Sequence, residues 1–378
     1  MIPRILEVEL IHRLESLSKV LVIYGARQVG KTTLVEKILE GCAGKILKIN
    51  ADIQPYTEVL SSRNLDKLKG LVSGYDILFI DEAQRIPDIG INLKILHDHL
   101  PKLKIIVSGS SSLDLANRIK EPLTGRTWTY TLFPISVREW QLYQDLNMYE
   151  IRLKLEEWMT YGMYPEVLLL ENYVDKRQYL DELTGAYLYK DILALANIRY
   201  PEKLRQLLKL LAFQIGNLVS IHELAISLQV NRETVIHYLD LLEKAFVIFR
   251  LPGFSRNLRK EVTSMKKIYF FDIGIRNALI GNFESFRERE DKGRIWENFL
   301  LAERMKKLAY ERIFANTYFW RLHSGAELDY IEDKDGKLSG YEFKWKKSRS
   351  RIPKAWLDTY SNSTYQLVNR ENFEGFIL

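Results

Sequence analysis

Residues 21–39 constrain the fold of this chain more than any other stretch. The apolar run Leu21 to Tyr24 leads into Gly25-Ala26-Arg27-Gln28-Val29-Gly30-Lys31-Thr32, and a helical pattern continues to Leu39. This fills the spacing G-x-x-x-x-G-K-[ST] at every required position. Glycines at both ends let backbone N–H groups turn inward around an anion, and the start of the following helix adds positive potential. Lys31 supplies a cation for the β- and γ-phosphates of a nucleoside triphosphate, and the Thr32 hydroxyl is a magnesium ligand. Residues Gly25 through Thr33 are thus the expected cradle. A ligand-free Gly-rich turn is the competing reading, and the flanking strand, helix and Lys-Thr pair weigh against it.

Such a loop needs a parallel sheet around it, and the next residues supply one. Short apolar runs recur at Ile46 to Ile49, Ile77 to Ile80 and Ile105 to Val107, and a Thr- and aromatic-rich run spans Trp128 to Phe133. Apolar runs of this length separated by helical patterns predict an α/β fold with both sheet faces covered. The third run ends in Asp81-Glu82, fifty positions after Lys31. Ligands bind at the C-terminal edge of such sheets, so Asp81 is expected to hold magnesium, directly or through water. Glu82 is expected to orient and deprotonate the attacking water. The fourth run ends in Ser108-Gly109-Ser110-Ser111, and Ser108 and Ser110 are both candidates to lie near the γ-phosphate.

The remaining two thirds of the 378 residues read differently. Helical patterns cover Ser136 to Leu146, Tyr149 to Tyr161, Lys176 to Leu195 and Pro201 to Ile215. Ser220 and Asn231 cap two further helices, Ile221 to Leu228 and Arg232 to Lys244, with Gln229-Val230 as the turn. A hairpin pattern follows, Phe246 to Leu251 with Ile268 to Phe271. Three helices and a hairpin predict a winged helix with Arg232, Glu233, Thr234 and His237 on its presented face. From Lys244 to Lys267 there are seven basic residues and one acidic, which suits a wing on phosphates. Packing or dimerisation is the other reading of such a module. A helix from Lys292 to Leu308, carrying Glu297, opens the last part. Glu327-Leu328-Asp329-Tyr330 and Tyr341-Glu342-Phe343-Lys344 then read as a hairpin in which Glu342 and Lys344 share a face.

Net charge is +6 and the pI about 9.0, which leaves an anionic partner open. One cysteine, Cys42, excludes an internal disulfide. No apolar run reaches the ~18–20 residues that span a bilayer, and the start lacks a signal-peptide pattern. The expected location is cytoplasmic. The six histidines do not cluster like a zinc site.

The segments GARQVGKTTL, LFIDEAQ, IIVSGSSS, LTGRTWTYTLFPIS and YGMYPEV, with the C-terminal segments above, resemble the prokaryotic AAA+ ATPases that carry a C-terminal restriction-endonuclease-like domain of unknown function. The resemblance covers essentially the whole chain. It implies an AAA+ core at 1–135, a helical lid at 136–200, a winged helix at 201–284 and a restriction-endonuclease-like domain at 285–378. It also implies ATP with magnesium, a homo-oligomer, and Arg126 (or Arg118) as the arginine reaching a neighbour's γ-phosphate. Tyr161 to Glu166 resembles a lid turn that contacts the base, with Met163 in place of its second glycine and Pro165 kept. In the last domain Asp329, Glu342 and Glu297 would bind a divalent metal, and Lys344 would hold the attacking hydroxide. Domains of this type bind DNA with or without cutting. The function expected is a magnesium-dependent ATPase that binds or processes DNA. The alternative is a regulatory NTP switch whose C-terminal domains bind a protein partner.

Overall fold

The structure is a computed structural model that describes residues 1–16, 19–110, 123–187, 198, 200–255, 266–322, 325–346 and 352–378. The chain divides into two compact units. One holds Met1–Pro134 with Lys244–Phe246, and the other holds Ile135–Glu243 with Val247–Leu378. Arg118 and the basic residues of the expected wing between 256 and 265 lie outside the described residues.

In the first unit, strands β1 (Val20–Tyr24), β2 (Ile46–Asn50), β3 (Ile77–Asp81), β4 (Lys104–Gly109) and β5 (Thr127–Thr131) form one parallel sheet in the order β2-β3-β4-β1-β5. Every residue of β1 is buried, and so are four of the five in β3. That is the pattern of strands covered on both faces. Helices α1 (Leu6–Glu15), α2 (Lys31–Glu40), α3 (Gln54–Leu60), α4 (Leu65–Val72) and α5 (Ile89–His99) accompany the sheet. Helix α1 buries Leu6, Leu10 and Leu14, one residue per turn. Val22, Leu78, Ile80 and Val107 meet Leu68, Leu93 and Leu96 in the core. Because β1, β3 and β4 are parallel neighbours, their C-terminal ends open on one edge, which brings the residues after them together.

The second unit begins with helices Val137–Gln144 and Met148–Tyr161. Each opens on a capping box, Ser136 with Glu139 and Asn147 with Glu150. Helix Tyr173–Glu182 passes into a π turn at Leu183–Tyr187, and the rest of the helix expected to Leu195 lies outside the described residues. Helices Ile221–Leu228 and Arg232–Lys244 fall at the expected positions, with Gln229 left-handed between them. Strands β6 (Leu218–Val219), β7 (Ile248–Leu251) and β8 (Lys266–Phe270) form an antiparallel sheet in the order β6-β8-β7. The C-terminal part has a helix at Lys292–Tyr310. Its mixed sheet joins β9 (Asn316–Arg321), β10 (Glu327–Lys334), β11 (Lys337–Phe343) and β12 (Ser363–Val368) in the order β12-β11-β10-β9.

The three parts expected after residue 135 share one body, and buried polar groups explain why. Asp272 accepts from Met163 N (2.7 Å), and Asn277 Nδ2 donates to the carbonyls of Met159 and Thr160. Asn298 exchanges two hydrogen bonds with the Phe270 backbone. Glu303 accepts from Val137 N, while Lys306 donates to Ile135 O and pairs with Glu303 at 2.6 Å. Hydrogen bonds across such contacts hold the parts together, since separating them would leave buried atoms such as Met163 N and Val137 N without these partners. Among the described residues no helix is long and apolar enough to cross a membrane.

Candidate functional site

The loop between β1 and α2 is held from both sides. A Cβ on Gly25 would stand 2.2 Å from Leu132 O, so only glycine allows β5 to run past the loop. Gly30 is left-handed at the N-cap of α2. Ala26, Val29 and Lys31 are buried, while Arg27 and Thr32 are partly covered and Gln28 and Thr33 are exposed. Lys31 Nζ donates to Gly25 O (3.0 Å) and Ala26 O (2.8 Å). The ammonium therefore rests on the loop it would share with phosphate.

Asp81 stands at the end of β3 and binds three neighbours. Oδ2 accepts from Thr32 Oγ1 at 2.8 Å, and Oδ1 accepts from Ser108 Oγ and from Glu82 N at 3.1 Å. Glu82 is left-handed, φ 55 and ψ 38, a costly conformation for a non-glycine residue that tends to persist at functional sites. Its carboxylate accepts from Gln84 Nε2 and from Ser110 Oγ at 3.3 Å. The structure thus brings Lys31, Thr32, Asp81, Glu82, Ser108 and Ser110 to one sheet edge. The Thr32 and Asp81 oxygens suit magnesium: neighbouring ligands of an octahedral ion with bonds of about 2.0–2.1 Å lie about 2.9 Å apart, close to their 2.8 Å spacing.

Arg126 sits elsewhere in the first unit. The Arg126 carbonyl accepts from Val20 N, which places it at the opposite edge of the sheet from Gly25. Its guanidinium makes two bonds to Asp98, at 2.8 and 3.3 Å. Five strand residues at about 3.3 Å each separate it from its own phosphate loop. Pro165 is in the second unit as the first residue of helix Pro165–Leu169. The turn before it is packed internally, with Met163 and Tyr164 buried and Met163 N bonded to Asp272.

The C-terminal constellation of Glu297, Asp329, Glu342 and Lys344 is electrostatically coupled, with Lys267 as an addition. Asp329 Oδ2 accepts from Phe343 N at 2.8 Å. Burial and then the charge of Glu297 push its carboxyl up to about 7, against the opposing effect of Lys267. Lys267 comes from β8, is 3% exposed, and pairs with Glu297 at 3.2 Å and Glu327 at 2.7 Å. Burial alone would lower its ammonium, and the charges of Glu297, Asp329 and Glu327 outweigh that and raise it. Tyr269 OH also donates to Glu297. Glu342 instead accepts from Tyr365 OH (2.6 Å) and pairs with Lys344 (3.1 Å). Among the described residues no three carboxylate, imidazole or thiol side chains group as metal ligands. Burial would lower the Lys344 ammonium, and Glu342, Asp329 and Glu297 raise it. Lys267 offsets part of the local negative charge, and the Glu297, Asp329 and Glu342 carboxylates are oxygen donors of the kind a divalent ion takes.

Sequence reasoning missed Arg4, Gln84 and Lys267 as site residues. Arg4 is buried and donates to Val29 O and Phe133 O, both at 2.6 Å, tying the phosphate loop to the end of β5. Nothing local marks it, because one partner is 129 positions away. Gln84 lies inside the Asp-Glu-Ala-Gln run, where its nearness to Glu82 was the available signal.

Comparison with known proteins matches three regions of the chain. An AAA domain matches residues 17–141, a domain of unknown function (DUF8612) matches 152–285, and a second (DUF4143) matches 292–372. The uncharacterized protein Rv2008c of Mycobacterium tuberculosis is 32% identical over 330 residues, covering 86% of this chain and 70% of its own. The uncharacterized protein MJ1544 of Methanocaldococcus jannaschii is 26% identical over 335 residues, covering 83% and 72%. Among solved structures, the Walker-type ATPase paby2304 of Pyrococcus abyssi is 18% identical, covers 72% of this chain and 94% of its own, and has a TM-score of 0.47. The chain belongs to the family of Rv2008c, and residues 17–141 are its AAA-type ATPase domain.

Proposed function

We propose that this protein is a magnesium-dependent ATPase whose turnover is coupled to binding of DNA by its second unit. The observation that carries the reading is the meeting of Thr32, Asp81, Ser108 and Glu82 at the edge where the phosphate loop ends. Lys31 would exchange its bonds to Gly25 and Ala26 for phosphate oxygens, so its charge is already in place. Thr32 and Asp81 would hold magnesium, which when bound neutralises the β- and γ-phosphate charge. Glu82 takes a proton from water as the water oxygen bonds to the γ-phosphorus. The bond from that phosphorus to the ADP oxygen breaks, and ADP leaves with that electron pair.

The DNA assignment rests on residues 201–284 read as a winged helix. Arg232, Glu233 and His237 are exposed on the second helix, and Arg232 Nη2 lies 2.9 Å from His222 Nδ1. The part from 285 on, read as a restriction-endonuclease-like fold, is assigned DNA binding, and Glu297, Asp329, Glu342 and Lys344 are the residues that would carry cutting. Pro165 is assigned to the lid, and Arg126 to a neighbouring copy's site in a homo-oligomer.

Glu82→Gln tests the hydrolysis step. It keeps the shape of the side chain and should lower kcat at least about 100-fold while nucleotide affinity stays within about threefold. Turnover at the native rate would remove Glu82 as the base.

A further inference from the structure

Glu82 is held by a closed ring of hydrogen bonds with Gln84 and Ser110. Gln84 sits in the single 3-10 turn Ala83–Arg85 directly after it. The Gln84 Nε2 donates to Glu82 Oε2 and to Ser110 Oγ, the latter at 2.9 Å. Ser110 Oγ donates to the same Glu82 oxygen at 3.3 Å. The ring therefore links the residue after β3 to the residue after β4, across the sheet edge where the γ-phosphate would lie. Gln84 Oε1 is buried and has no hydrogen-bond partner among the described residues. An unsatisfied buried acceptor is costly, so this amide is placed for what its nitrogen does. The left-handed backbone of Glu82 would relax without something to hold it.

We propose that Gln84 is a positioning residue for ATP hydrolysis. Both donors fall on Glu82 Oε2, which makes that oxygen the weaker proton acceptor and leaves Oε1 to take the proton from water. Ser110 shares the task, so the ring also fixes the distance between the base and the end of β4. The assignment rests on the hydrolysis reading above, with Glu82 as base.

The test compares full-length native protein with Gln84→Met and Glu82→Gln, measuring steady-state ATP turnover, nucleotide affinity and apparent Tm. Methionine keeps the volume of glutamine and removes both donors. Displacing a catalytic group by about 1 Å costs up to about 100-fold, so Gln84→Met should lose about 10- to 100-fold in kcat. Nucleotide affinity should stay within about twofold, and Tm should be unchanged. Native turnover in Gln84→Met, alongside an inactive Glu82→Gln, would overturn the role of Gln84 and leave the hydrolysis reading standing. An equal loss in affinity and kcat would also overturn it, since that pattern marks a structural role. Native turnover in Glu82→Gln would instead overturn the underlying reading. Should Gln84→Met lose stability, Gln84→Asn gives the second measurement. It keeps the amide but is one methylene too short to reach both partners, so it should show the same loss in kcat.

Discussion

Lys31, Thr32, Asp81 and Glu82 were legible as site residues because each lies next to the element that aims it. Their chemistry is local to a strand end or a helix start, and the parallel sheet does the rest. Arg4 and Lys267 were not legible, since each acts on residues remote in sequence and close only after folding. Lys267 adds a buried charge beside Glu297 that the hairpin pattern of Asp and Glu-x-Lys does not contain. Its neighbour Asp329 gives a pH prediction. With its carboxyl raised to about 7 by burial and by Glu297, the folded state binds this proton more tightly than the unfolded chain, whose value is about 3.9. The slope of stability against pH is then negative between those values. Asp329 contributes most below about pH 4, and its contribution is lost as pH rises through 7. Asp329→Asn keeps the acceptor for Phe343 N. It should flatten the fall in apparent Tm between pH 5.5 and 8, and a slope equal to the native one would contradict the shift.

Among the elements, β1, β3 and β4 were read from apolar runs alone, because burial on both faces leaves no alternation to confuse. The same property hid helix Ile273–Ile280. Ile273, Ile275, Arg276, Asn277 and Leu279 are all buried, so it has no polar face and no helical period to detect. Its N-cap, Asp272, shows what Gly162 is for. Burial raises the Asp272 carboxyl, and backbone donors including Met163 N–H oppose that. A Cβ on Gly162 would stand 2.0 Å from Asp272 Oδ1, at a φ of +78. Close approach here accounts for the glycine of the Tyr-Gly-Met-Tyr-Pro run. Gly162→Ala should destabilise by about 2–4 kcal/mol, adding backbone strain to overpacking. A denaturant midpoint at the native value would show that the turn can open at no cost.

At the scale of the whole molecule, Arg126 and the phosphate loop lie at opposite sheet edges, so one copy cannot supply both to one site. Arg126→Ala and Lys31→Ala should each be nearly inactive alone. Mixed in equal amounts they should recover a measurable fraction of native turnover, because a sound loop from one copy can meet Arg126 from the other. Mixtures as inactive as their components would remove Arg126 from the site. The organisation of the second unit was only partly legible. Spacing and caps placed the helices and hairpins of the second unit, while its unity depends on buried partners such as Glu303 with Val137 N. The central claim is that ATP turnover in the first unit serves DNA held by the second. Steady-state ATP hydrolysis by the full-length protein, titrated with duplex DNA at low and at moderate salt, tests this most directly. The account predicts that DNA changes the rate severalfold, with a midpoint that weakens as salt rises. A rate unmoved by DNA at either salt concentration would contradict it and favour a protein-bound switch.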